Sequence, residues 1–529
     1  MTSRAGRLKL PEFITDLGRP PTALAALIAG SLALIAVGLD PRVFSAGTAD
    51  AQAALREQPA LESLFLLSSI GEAAFLLVGG VLGDTVGRRR VLLAGLTALA
   101  IFEIGAMVTV DGPIFLLCRI GAVASVGCVL PPALAMVAVA YEGAARATAL
   151  GIAYAALGAA TAVAPAVLAA VTPAIGRWPS FLLVTLFVLI ALFVVWRRVQ
   201  ATAPSHLQRR DVYPHALWAL GLLSLTGGII GFRGSGESLV RVGLIIAGVA
   251  LVGVFLIIQR KRKGISEDAA IDIRPTTVAL VAGVVIAIAQ TAPSIELPLF
   301  FQIAQDSAPL LATIALAPFI AALLISGPIA GWLLVRYSAR ALIVGGLVVV
   351  AAGDLFLGQA TTDTPYVFFI VPFFAVGAGF VVGTCVRTAV IFASTPRRLP
   401  ATAAALNQTS LVVGSQVGVA GVTALVSSAA IAAFSAALPS GVDPGASVDA
   451  FKSFLQAIGT TEFGEIVGGL SGAASASYRE AFAAGVQSAM VLVALVTLAA
   501  AVICWFAMPG PERVDSVWEH REERQPVSG

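Results

Sequence analysis

Asp40, Glu72, Glu103, Glu296 and Asp354 each stand inside or at the end of a long apolar run, and so do Arg119 and Arg387. A carboxyl group away from water can take up and release a proton near neutral pH, so each embedded acid is a candidate proton carrier. An arginine in the same setting stays charged and favours the ionised form of a nearby carboxylate. The plain alternative for each is a structural ion pair or a side chain reaching out from a helix end. The histidines His206, His215 and His520 fall outside the span interiors, so a carboxylate has to carry any proton. Depth sorts the candidates, at about 1.5 Å of rise per residue. Glu103 and Arg119 fall at a similar outer-third depth and are expected to pair across adjacent helices. Asp40 is within reach if the bundle is compact, and Glu72 lies close to the midplane. Asp354 is the deepest acid of the second half, and Glu296 is expected near the outer boundary. Arg387 falls towards the inner side of its span.

The elements that must position these residues are membrane spans. Of 529 residues, 58% are hydrophobic and only 12% charged, and the mean hydropathy is +0.93, which excludes a water-soluble globule. A window of membrane thickness gives about fourteen apolar spans. They lie near 22–45, 62–83, 89–110, 113–140, 147–170, 179–197, 214–232, 242–259, 275–298, 308–335, 340–359, 366–393, 402–433 and 485–507. Arg88–Arg90, Arg146, Arg197, Arg198, Arg209, Arg210, the run 260–263, Arg336, Arg340, Arg397 and Arg398 all fall in alternate connections, as do both termini. The excess of positive charge on one face predicts that both termini are cytoplasmic. Cys118, Cys128, Cys385 and Cys504 all lie in apolar segments, so neither a disulfide framework nor a zinc site is expected. The polar residues 1–20 lack a small-residue cleavage site, and the first span is expected to be a retained anchor. Few lysines and abundant arginine, alanine and glycine suggest a GC-rich bacterial genome and hence the inner membrane. Gly79, Gly83 and Gly87 step by four, as do Gly379 with Gly383 and Gly414 with Gly418, a spacing that lets helices approach closely in lipid.

Between Gly80 and Leu92 the chain reads G-V-L-G-D-T-V-G-R-R-R-V-L. This resembles the signature loop between spans two and three of the major facilitator superfamily of secondary transporters, with Gly80, Asp84, Gly87, Arg88 and Arg89 in the motif positions. Gly331 to Arg340 echoes it in the second half, with Val335 where the Asp would be. The resemblance runs from about residue 22 to 507 and favours the fourteen-span drug:proton antiporter branch. Leu39-Asp40 and Arg119 match that branch's span-one acid and span-four arginine, although Pro41, Arg42, Ala122 and Val123 depart from its pattern. Pro165 stands at the branch's span-five bend, with Ala164 in place of the usual Gly. Gly176-Arg177-Trp178, the run from Leu297 to Gln302 and the run from Ala405 to Ser410 also resemble it; Gln302, Asn407 and Gln408, together with Arg387, are candidates for the substrate cavity.

The fold implied is an all-α membrane protein with two six-helix bundles and two inserted helices. The boundaries expected are a cytoplasmic tail at 1–21, an N-terminal bundle at 22–200, inserted spans at 201–264, a C-terminal bundle at 265–507 and a tail at 508–529. A long outer loop at 435–483 carries an amphipathic stretch from Val448 to Ile458, expected as a helix lying on the bundle or as a cap that touches a partner or lipid. In the family the motif Asp holds the inner ends of the halves together, and Asp84 is expected to face the N-terminus of span thirteen, just past Arg397 and Arg398. The expected activity is proton-coupled export of hydrophobic or amphipathic small molecules by alternating access. A lipid or glycolipid exporter of the same fold is the alternative, and a non-transporting membrane sensor the third reading. No Gly-Lys dipeptide exists to build a nucleotide-binding loop, and no cluster of nucleophile, base or metal ligands suggests an enzyme. Partners expected are the substrate, protons and membrane lipids. No cofactor, metal or nucleic acid is expected, and the protein is expected to be a monomer.

Overall fold

A computed structural model describes residues 21–47, 59–109, 111–141, 143–175, 178–200, 238–263, 272–395, 399–437, 444–457 and 472–508, with a few isolated positions between 217 and 228. These residues are helical with short connections, and no strand occurs among them. The first group of helices is α1 (Pro21–Gly47), α2 (Pro59–Val86), α3 (Arg88–Val108), α4 (Gly112–Ala140), α5 (Gly143–Ile175) and α6 (Trp178–Arg198). Helix α7 (Ser238–Lys263) follows. The second group comprises α8 (Ile273–Ile303), the short α9 (Pro309–Ile314), α10 (Ala317–Arg336), α11 (Ala339–Leu357), α12 (Val367–Ser394), α13 (Pro400–Ala436), the amphipathic α14 (Pro444–Ala457) and α15 (Gly472–Ala507).

Local sequence explains several of the boundaries. Asp111 caps α4 through Oδ1, which accepts from the Ile114 amide at 3.1 Å, and Pro113 sits in the first turn, where no amide hydrogen is missed. Ser338 caps α11 in the same way. Gly87 alone separates α2 from α3, at φ 108°, a backbone conformation that a residue with a Cβ adopts only at a cost. The chain therefore reverses between two long helices through a single residue.

Within the first group α2 packs on α4, α3 on α4 and α6, and α1 on α5 and α6. Within the second, α11 packs on α12 and α15, α8 on α12, α13 and α15, and α10 on α12. Two seams join the groups, α2 against α13 and α5 against α10, and α4–α13 and α5–α12 contacts lie between them. At the second seam Gly151 and Gly327 bring their backbones into direct contact, and a methyl group on either would sit inside the other's carbonyl. Helix α7 makes no extended packing contact with either group among the described residues. Ile101, Val108, Leu117, Phe193, Val367, Val371 and Phe506 turn outward and are more than half exposed, an arrangement suited to lipid and not to water.

Among the described residues, ten helices are long and apolar enough to cross a membrane: α1, α3, α4, α6, α8, α10, α11, α12, α13 and α15. Shorter apolar stretches lie in α2, α5 and α7, at Ala74–Val86, Thr148–Thr161 and Val242–Phe255. The remaining expected span, 214–232, lies largely outside the described residues. The expected outer loop at 435–483 is corrected at its end: α15 starts at Gly472 and runs for 36 residues, about 54 Å at ~1.5 Å per residue. That exceeds the ~30 Å of bilayer hydrocarbon, so its first turns extend beyond the apolar slab. They have something to pack on. Phe434 of α13, Phe451 and Phe454 of α14 and Tyr478 of α15 stack with ring centroids 4.6–5.9 Å apart. The apolar face of α14 thus rests on the bundle.

Candidate functional site

The four charged candidates of the first group converge. Arg119 of α4 donates from Nη1 to Asp40 Oδ1 of α1 at 2.6 Å, and both side chains are largely buried. Glu103 of α3 lies beside this pair, its carboxyl within hydrogen-bonding range of Asp40 and its Oε2 buried without a partner. Glu72 of α2 faces the same centre, within electrostatic reach of Asp40 and Arg119. The expected Glu103–Arg119 contact is thus one side of a larger group, in which Asp40 makes the short ion pair. Three carboxyl groups from three helices share one guanidinium.

At the end of the bundle that carries the signature loop, Asp84 joins the two groups of helices. The α13 N-terminus has no cap of its own: Leu399 offers no side-chain acceptor, and Pro400 opens the first turn. Its free amides are satisfied from α2 instead. Asp84 Oδ1 accepts from the Ala401 amide at 3.0 Å, and Oδ2 accepts from the Thr402 amide at 2.8 Å and from Thr402 Oγ1 at 2.9 Å. A carboxylate is the best acceptor for the positive end of a helix dipole. Gly80 lies against Ala401 and Ala405, so its lack of a side chain lets α2 come close enough for Asp84 to reach. Arg88 stands near Asp84, and Arg89 donates to the Trp196 carbonyl of α6 at 2.8 Å, tying the loop to its own bundle. Arg397 and Arg398 lie outside the described residues.

Between the groups, about 10 Å in from the signature-loop ends of α12 and α13, lies a polar network. Asn407 Nδ2 donates to Tyr154 Oη at 2.6 Å, and Tyr154 Oη donates to Gln408 Oε1 at 2.8 Å, linking α13 to α5. Arg387 of α12 is fully buried and donates from Nη1 to Ser410 Oγ at 3.0 Å, and that hydroxyl donates to the Asn407 carbonyl at 2.7 Å. Arg387, Asn407 and Gln408 are therefore brought together. Gln302 is not: it lies about 28 Å further along α8 than Gly283, which abuts Arg387, and its amide donates to the Pro298 carbonyl of its own helix. Tyr154 and Ser410 were not singled out by sequence. The available signal was a lone tyrosine within the small-residue run Gly151-Ile-Ala-Tyr154-Ala-Ala.

The two acids of the second group stand apart from each other. Glu296 is 1% exposed, not solvated as a boundary position allowed, and its Oε1 accepts from Thr423 Oγ1 at 2.7 Å. Asp354 is completely buried in α11, and neither carboxyl oxygen has a hydrogen-bond partner among the described residues. The backbone at Pro165 continues α5, and its side chain lies outside the described residues. No cluster of metal-ligating side chains occurs among the described residues.

Comparison with known proteins agrees with this geometry. The chain resembles three solved structures over nearly its whole length. They are the human organic anion transporter MFSD10 (TETRAN; TM-score 0.54, 13% identity, covering 93% of this chain and 100% of that one), the proton:xylose symporter XylE (0.55, 15%, 94% and 99%), and an inward-facing bacterial homolog of the human lysosomal transporter Spinster (0.55, 15%, 93% and 98%). At these identities the likeness is one of fold. No curated protein matches in sequence. The family model of the Major Facilitator Superfamily matches residues 22–419, well over half of the chain, and with two packed helical groups joined by the signature-loop carboxylate, the chain belongs to that superfamily.

Proposed function

We propose that this protein is a proton-coupled exporter of hydrophobic or amphipathic small molecules, of the fourteen-span drug:proton antiporter type, in the inner membrane of a bacterium with both termini in the cytoplasm. The observation that carries the reading is the cluster of Asp40, Glu72 and Glu103 around Arg119. A low-dielectric interior does not hold three carboxylates against a single cation, so charge balance there requires that protons be carried by the acids. Proton number then becomes a variable that the packing of α1 to α4 can sense. Asp84 is the complementary part: its bonds to α13 hold the two bundles together at the cytoplasmic end, and they must break for that end to open. Protons that enter from outside reach the cluster, and the change in its charge shifts the balance between inward-open and outward-open states. Asp354 and Glu296 are kept as further candidate carriers in the second bundle.

The test is uptake of amphipathic fluorescent dyes by everted membrane vesicles under an imposed pH gradient. Wild type is expected to accumulate dye only with the gradient, and Asp40→Asn or Glu72→Gln to lose most of that uptake at equal expression. Uptake that survives collapse of the gradient, or that is unchanged in both variants, overturns the proton-coupled reading.

A further inference from the structure

The two buried arginines are treated differently by the fold. Arg119 has acids on three sides, whereas Arg387 has none: the groups within electrostatic reach are the phenol of Tyr154 and the thiol of Cys385, and no carboxylate faces it among the described residues. Of its nitrogens, Nη1 is taken by Ser410, while Nε and Nη2 are fully buried and without an acceptor. Those two nitrogens form one edge of the planar guanidinium, with their N–H bonds nearly parallel. It is the edge that receives both oxygens of a carboxylate, or two of a phosphate or sulfonate. Close by, Asn407 Oδ1 is also buried without a donor. An uncompensated guanidinium is among the most costly groups to bury.

Its place in the fold points the same way. Arg387 sits where α12 meets α5, between the two bundles and about 10 Å in from the signature-loop end of α12, and substrate sites of transporters built from two related halves lie between those halves. Gly283 of α8 makes room for the guanidinium, since a methyl group there would overlap it. Tyr154 reaches across from the other bundle and meets Asn407 and Gln408, so the polar network beside Arg387 spans both bundles.

We propose that Arg387 is the receptor for an anionic headgroup, and that the substrate of this transporter is an amphiphile bearing a carboxylate, phosphate or sulfonate on an apolar body. Nε and Nη2 grip two anion oxygens, Asn407 and Tyr154 set the headgroup's orientation, and the surrounding apolar helices accept the body. The inference rests on the transport reading and narrows its substrate class. The shared chemistry has two sources, the headgroup of a membrane lipid or a free anionic amphiphile.

The test is equilibrium binding in phosphatidylcholine nanodiscs, with empty discs subtracted, of three radiolabelled probes that share one chain: laurate, dodecanol and dodecylamine. Wild type is expected to bind laurate at least about tenfold more tightly than dodecanol, the scale of a charge-assisted fork. Arg387→Gln is expected to bring that ratio to about one with dodecanol binding unchanged. Arg387→Met is expected to keep or raise the thermal midpoint, because an apolar side chain removes an unpaired buried charge. Adding phosphatidylglycerol to the discs separates the sources: displacement of laurate assigns the site to a lipid headgroup, and no displacement assigns it to a free amphiphile. Equal binding of laurate and dodecanol by wild type overturns the proposal without recourse to any variant. So does a laurate preference that survives Arg387→Gln, or a thermal midpoint that falls sharply in Arg387→Met. Binding is read with no gradient, so its failure is distinct from failure of the vesicle assay.

Discussion

Asp40 and Arg119 show what a single residue can be asked to do in a bilayer. A surface ion pair contributes little, but removing one partner of a buried pair leaves a charge with nothing to answer it, at a cost of roughly 3–5 kcal/mol. Arg119→Ala is therefore expected to lower the unfolding midpoint in nanodiscs sharply, and Arg119→Ala combined with Asp40→Asn to recover part of the loss. A double-mutant cycle measures the coupling, and strictly additive effects would show that the 2.6 Å contact carries no energy. Gly87 offers a second case at this scale. Gly87→Ala meets a φ of 108° and is expected to cost about 1–2 kcal/mol by the same thermal measurement, with no change in any side-chain contact.

Among elements, the most consequential relation is that between α2 and α13. The N-terminus of α13 is capped by a residue more than three hundred positions earlier in the chain, so the stability of one helix end is tied to the distance between the two bundles. Asp84→Ala removes all three acceptor contacts and is expected to raise the population with separated cytoplasmic ends. Spin labels at Arg90 and Thr395 read this as a longer distance, and an unchanged distribution would show that the carboxylate does not latch the halves. At the second seam Val335 stands at the position of the motif carboxylate, and Gly151 and Gly327 touch through their backbones. Gly327→Val is accordingly expected to force α5 and α10 apart and to abolish uptake at normal expression, whereas Gly345→Ala, where open space lies beside the backbone, is expected to leave uptake intact.

The whole molecule is a membrane transporter of the Major Facilitator Superfamily, in which two bundles rock about a site between them. Its described surface is divided into an apolar girdle and polar ends. Arg336 stacks 3.9 Å from the Trp332 ring and Arg340 4.4 Å from that of Trp505, at the end that also carries Arg88 to Arg90. Asp449, on α14, is well exposed at the opposite end. If positive charge sets the orientation, Arg90→Cys reacts with a membrane-impermeant maleimide only from the cytoplasmic side and Asp449→Cys only from outside. Cys118, Cys385 and Cys504 are buried and give little background. Labelling from the reverse sides would invert the assigned direction of transport.

Taken by itself, the sequence determined the class of the molecule: a membrane bundle, ten of its long apolar helices, and the motif carried by Asp84, Gly87 and Arg88. Those features are one-dimensional, since lipid demands an apolar run of set length and a one-residue turn demands a glycine. It also offered the embedded acids as candidates, because any ionisable group within such a run stands out. Partners were another matter. Spans carry apolar residues on all faces, so periodicity does not say which side of α1, α3 or α12 meets which neighbour, and depth alone grouped Glu103 with Arg119 while leaving Asp40 to the compactness of the bundle. Only the tertiary structure decided that Asp40 makes the short pair and that Gln302 lies far from Asn407. It alone separated an arginine that has its counter-charges from one that lacks them, because compensation of a buried charge depends on what the fold brings within a few ångströms of it.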